Sequence, residues 1–164
     1  MKKIVLILGI LFFLISCNNN DLETSPESSS PESLPGSPIT FSTIGQYNLY
    51  GNGDENISKS NLVISDAISW KNLIAKMNTR NNVSNNFTET NIDFTKYQII
   101  AIFDKIQPSG GHSIDITLIT ENQKDITIKI EKLKTGDATL VMTQPFHIVK
   151  IAKSDKTIIF SEKK

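Results

Sequence analysis

The chain has 164 residues, enough for one domain and too few for two of ordinary size. Lys+Arg and Asp+Glu are both 17, so the net charge is zero and the basic excess of a nucleic-acid-binding face is missing. One cysteine excludes an intramolecular disulfide and a multi-cysteine zinc site, and two histidines, His112 and His147, exclude a histidine-rich metal centre.

Met1, Lys2 and Lys3 make a basic start, and the apolar run Ile4 to Ile15 follows, broken by Gly9. As a helix that run is about 18 Å long at about 1.5 Å per residue. It falls short of the roughly 20 residues a membrane span needs and suits the apolar region of a signal peptide. It ends in Leu14-Ile15-Ser16-Cys17, which resembles the lipobox of bacterial lipoproteins. There a small residue precedes the cut, and the new N-terminal cysteine carries the lipid on its thiol. Residues 1–17 are therefore expected to be a lipoprotein signal peptide, with Cys17 as the palmitate-bearing membrane anchor. Acyl chains anchor through about 0.8 kcal/mol per buried CH₂. Asn18 rather than Asp follows the cysteine, so the outer membrane is the expected address in a Gram-negative envelope. The sequence leaves the periplasmic and surface sides equally open.

Residues 18–40 contain four of the six prolines, six serines, four acidic residues and no basic one. Such a stretch cannot bury enough apolar surface to offset its ordering entropy. It reads as a disordered tether, reaching on the order of 25 Å as a flexible coil.

The rest, 41–164, reads as a single α+β domain. Phe41 to Tyr50 has strand character and stops at the turn-rich Gly51-Asn52-Gly53-Asp54. Asn61 to Ile64 is a second short apolar run. Trp70, Leu73, Ile74 and Met77 then share one helical face, with Ser65 placed to cap it and Asp66 in its first turn. Asn78 to Asn91 is polar and predicts a loop. From Phe94 onward the period becomes that of strands. Tyr97 to Phe103 is a nearly continuous apolar run, suited to a central strand. Ile114, Ile116 and Leu118 alternate with polar residues, and Ile126, Ile128 and Ile130 do so most cleanly. Ala138 to Thr143, Phe146 to Ile151 and Lys156 to Phe160 predict three more strands. Consecutive strands joined by such short links are expected to have to pair antiparallel, because parallel pairs need a long crossover. The expectation is a twisted, partly curled antiparallel sheet of six to eight strands with one packed helix.

Catalytic constellations are weak. Ser109 and His112 lie near each other in sequence, but no G-x-S-x-G elbow opens a helix there. Asp104 and Asp115 are the available carboxylate pair, and Asp115 alternates with inward isoleucines, which predicts a solvent-facing side chain. His147 alternates with Val149 and Ile151 and reads as a structural histidine on a half-buried face. No P-loop, dinucleotide fingerprint or HExxH is present. The sequence therefore implies no cofactor, no metal site and no catalytic residue, and the protein is expected not to be an enzyme.

The most distinctive segment is Gln107, Pro108, Ser109, Gly110, Gly111, His112 and Ser113. Proline restricts φ, and two glycines admit positive φ or a close backbone approach. This marks either a wide hairpin loop or a recognition loop for another chain. Pro108 to Ile114 resembles the P-S-G-G-[aromatic or His]-S-I segment of the PrcB C-terminal domain family. His112 stands where a tyrosine is common. Asp93-Phe94 resembles the DF ahead of that family's first strand. Thr143, Pro145, Phe146, His147, Ile148 and Val149 resemble its T-x-P-[aromatic]-x-[aliphatic]-V ending, and Trp70 and Leu73 its upstream W-x-x-L. The similarity runs over about 91–151. It implies a lipoprotein subunit associated with a surface protease complex.

Together these readings imply a lipid-anchored, non-enzymatic envelope protein that binds or stabilises another exported protein, such as a protease. Its contacts would be the membrane through Cys17 and a protein partner through the 107–113 loop. The alternative is an envelope small-ligand or glycan-binding module, for which Tyr47, Tyr50 and Tyr97 are the available stacking surfaces and Trp70 reads as core.

Overall fold

The computed structural model describes residues 36–163. The expected signal peptide, Cys17 and most of the expected tether lie outside the described residues. The chain enters at β1 (Ser37–Pro38), then β2 (Ser42–Leu49), β3 (Ser60–Ile64), α1 (Ala67–Met77) and a 3₁₀ turn, Val83–Asn86. There follow β4 (Tyr97–Phe103), β5 (Asp115–Glu121), β6 (Asp125–Glu131), β7 (Gln144–Ala152) and β8 (Thr157–Glu162).

The α+β class holds, with the strands divided between two four-stranded sheets. One has the order β2-β7-β4-β3 and the other β1-β5-β6-β8. The reason lies in β4. Its run is buried on both faces, where a half-exposed strand would alternate. Ile99, Ala101 and Phe103 pack with Trp70, Leu73 and Met77 of α1. Ile100 and Ile102, with Val149 and Ile151 of β7, pack against Ile116, Ile119, Ile126, Ile128 and Ile130 of the other sheet. The β2-β7-β4-β3 sheet is thus covered by the helix on one side and by the second sheet on the other. Each fully buried isoleucine contributes about 1.5–3 kcal/mol of transfer free energy.

Four expectations are corrected. Links as short as Lys153–Lys156 do not force pairing here: β7 and β8 lie in different sheets, and β8 pairs with β6 in parallel. The whole stretch between β6 and β8 serves as the long crossover a parallel pair needs. Part of the expected tether also belongs to the fold. Ser37 and Pro38 pair with Glu121 and Thr120, and Ile39 N–H donates to Ile119 O at 2.9 Å. Pro38 is tolerated because β1 is an edge strand, where a missing N–H costs no ladder bond. The cap of α1 is Asp66 and not Ser65: the Asp66 carboxylate accepts from the N–H groups of Ile68 and Ser69. Finally, no strand forms over Ala138–Thr143. No sheet face covers this segment, and its backbone bonds instead to the loop described next.

Candidate functional site

Two loops leave the same end of the molecule and are hydrogen-bonded into one unit. The first, 104–114, joins β4 to β5, and the second, 132–143, joins β6 to β7. Gln107 and Thr143 exchange backbone bonds of 2.7 and 3.1 Å. Gly110 N–H donates to Thr139 O, Asp137 N–H to Gly110 O, and Gly136 N–H to Gly111 O, all within 3.3 Å. The Thr143 hydroxyl closes onto Ser109 O at 2.8 Å.

Two buried carboxylates hold this unit at its stem. Asp104 accepts from Lys132 Nζ at 2.7 Å and from Gln107 Nε2 at 2.8 Å. Its burial pushes the carboxyl up, but the bonds from Lys132, the Lys105 backbone and Gln107 outweigh this and hold it below the usual range. Asp115 is buried too, which corrects the solvent-facing expectation. It accepts from Gln46 Nε2 and Ser113 Oγ at 2.6 Å each and from Leu133 N–H at 3.0 Å. The strand alternation of 113–118 hides this, because three donors from separate segments meet at Asp115 only in the folded chain. Asp104 and Asp115 act as acceptors that fix the second loop to the first.

The expected recognition loop is therefore largely occupied by the chain itself. Gln107 and Gly110 are buried, Pro108 and Gly111 are exposed, and Ser109, His112 and Ser113 are half-buried. The glycines admit the protein's own second loop. Gly111 has φ +69°, and a Cβ there would meet Asp137 Cγ at 2.8 Å. A Cβ on Gly110 would run into the Thr139 hydroxyl. What faces outward at the tip is apolar: Leu140 is 99% exposed, with Val141 and Met142 also exposed, and Leu133 is exposed at the stem. The sequence places Leu140, Val141 and Met142 in a strand and so conceals them as a surface.

Ser109 Oγ lies 3.0 Å from His112 Nε2. Among the described residues no carboxylate is hydrogen-bonded to His112. The acid of the neighbouring segment, Asp137, is bonded to the Thr139 backbone and hydroxyl. The pair thus lacks the orienting member of a Ser-His-Asp triad.

His147 is fully buried, as a structural histidine, and more deeply than a half-buried face implies. Its Nδ1 accepts the Ile116 N–H at 2.9 Å, so the ring proton sits on Nε2, which faces Thr43 Oγ1 at 3.2 Å. Burial drives its pKa down to about 4, against an upward pull from Asp115.

Between the loop and β2 runs a cleft of about 370 Å³, walled by Tyr47, Asn48, His112, Ser113 and Lys134. A second cleft, of about 470 Å³, lies on the other side of Tyr47 and reaches Tyr50, Asn81, Asn82 and Asn86. Tyr97 is not part of either. It sits six positions from Phe103 along β4, roughly 20 Å away at strand rise, under the Lys150 ammonium.

Residues 99–152 match the PrcB C-terminal family. The resemblance read from the Pro108–Ile114 and Thr143–Val149 motifs is borne out. Asp93-Phe94, Trp70 and Leu73 fall outside the matched residues. The matched residues supply most of β4 and all of β7, the two inner strands of one sheet, the strands β5 and β6 of the other, and both linked loops. The family points to a role beside a protease complex. No curated protein and no solved structure matches the chain significantly.

Proposed function

We propose that this protein is a lipid-anchored, non-enzymatic envelope protein that binds or stabilises another exported protein belonging to a protease complex. The observation that carries this reading is the apolar tip of the matched segment: Leu140, Val141 and Met142 project from a loop pair that two buried carboxylates hold at its stem. Exposed apolar clusters on a rigid, polar-rimmed support are the usual sign of a protein contact. A preformed loop also loses little ordering entropy on binding. The partner would meet Leu140 and Met142 directly, while residues 107–113 act mainly as the scaffold beneath them.

Cys17 would carry the acyl chains, with 18–35 spanning from the outer membrane to the fold. Metabolic palmitate labelling tests the anchor: wild-type protein takes up label and partitions with detergent, and Cys17→Ser does neither. Labelling that survives Cys17→Ser overturns it.

The partner is tested by crosslinking the full lipoprotein in native envelopes and identifying what co-purifies. The expected result is one enriched exported protease or a protein bound to it, lost in a Leu140→Asp, Met142→Asp double variant. Enrichment unchanged by that variant overturns the assignment of the tip. Catalytic turnover of a substrate by the purified protein overturns the non-enzymatic reading.

A further inference from the structure

We propose that the cleft between Tyr47 and Tyr50 binds an uncharged saccharide. This goes beyond the protein-binding role and uses a different surface. The cleft holds about 470 Å³ and none of its lining residues carries a charge, a volume within the range of small-molecule sites. Its aromatic groups are Tyr47 and Tyr50, which are 47% and 56% exposed. Tyr47 is fixed from two sides: its hydroxyl donates to Asn86 O at 3.2 Å, and its ring meets Phe146 edge-on at 6.2 Å.

The remaining wall is a set of amides. Asn81, Asn82 and Asn86 are exposed, and Asn82 opens the 3₁₀ turn without a side-chain capping bond. Asn48 lines this cleft as well as its neighbour.

The chemistry narrows the ligand class. Each asparagine amide both donates and accepts, matching adjacent hydroxyls that do the same. A charged ligand would find no countercharge here and would lose hydration. A wholly apolar ligand would desolvate the amides without replacing their bonds. A pyranose satisfies both halves, with one C–H face against a tyrosine ring and hydroxyls toward the amides. The lining residues all lie outside 99–152, so the cleft belongs to the remainder of this chain and not to its PrcB C-terminal segment.

The test is an amide-resolved NMR titration of the full chain with cellotriose, maltotriose, mannotriose and triacetylchitotriose, each to about 10 mM, a range that captures millimolar affinities. At least one sugar is expected to shift the side-chain amides of Asn81, Asn82 and Asn86 saturably. Tyr50→Ala, at an exposed position, is expected to weaken that sugar about tenfold while Trp70 fluorescence reports an intact core. Tyr97→Ala and Leu140→Asp are expected to leave it unchanged. Absence of shifts with all four sugars, shifts confined to other residues, or equal affinity in Tyr50→Ala overturns the proposal. None of these outcomes bears on the protein-binding tip.

Discussion

Ile116 of β5 donates its backbone N–H to Nδ1 of His147 on β7, across 2.9 Å. One bond thereby ties the inner strand of one sheet to the inner strand of the other. It also fixes the imidazole as neutral, because Nδ1 cannot hold a proton while it accepts one. Burial pushes the His147 pKa down to about 4, against an upward pull from Asp115.

Acid should therefore weaken the fold before the carboxylates titrate. In the unfolded chain His147 takes up a proton near pH 6.5, whereas in the folded chain it does so only near 4. Between those values the unfolded state binds more protons, so stability falls as pH falls. The loss from pH 7 to pH 5 should be about 2 kcal/mol, since one pKa unit corresponds to about 1.4 kcal/mol. Urea unfolding at both pH values measures it. His147→Gln should start lower and lose much less over this window. An equal loss in both proteins assigns the acid sensitivity elsewhere.

The carboxylate clamps should matter more than their positions at loop ends suggest. Asp115→Ala strands three donors, from Gln46, Ser113 and Leu133. The expected cost is about 2–3 kcal/mol. Lys132→Met leaves the buried Asp104 carboxylate with Gln107 as its side-chain donor and should cost about 2 kcal/mol, less than for a fully enclosed pair because Lys132 is itself partly exposed. Denaturant midpoints measure both. In each variant, amide exchange of 107–113 and 133–143 should quicken together, because the two loops share their bonds.

Gly111→Ala tests the loop pairing from the other side. A methyl group there meets Asp137 and must also sit at φ +69°. The expected destabilisation is about 1–2 kcal/mol. Its effect on partner binding should follow the displaced second loop, so Gly111→Ala should weaken binding even though Leu140 and Met142 are unchanged.

Leu140→Asp should separate stability from binding. The side chain is 99% exposed, so thermal stability should change by no more than about 0.5 kcal/mol. Partner affinity, read by surface-immobilised titration of the crosslinked protein, should drop at least about tenfold, as expected of an anchor in an apolar contact.

Local periodicity was sufficient for the elements whose burial is set by their own side chains. The isoleucines 126, 128 and 130 face one core, and their alternation shows it. The nearly continuous Tyr97–Phe103 run marks a central strand, and the 3.6 spacing of Trp70, Leu73 and Met77 places one helix face in the core. The Pro-Ser-Gly-Gly motif likewise marks an unusual loop and the family it matches.

Tertiary structure alone decided the rest. Which strands share a sheet depends on the two-sided burial of β4 and β7, a property of the assembled layers. Ala138–Thr143 has strand periodicity, yet no face awaits it, so Leu140 and Met142 are left outside. Asp115 is inward because Gln46, Ser113 and Leu133 converge on it. Tyr47 and Tyr50 join Asn81, Asn82 and Asn86 only because the 3₁₀ turn folds back against β2. Each of these sites needs partners from distant segments, and spacing along one strand carries no record of them.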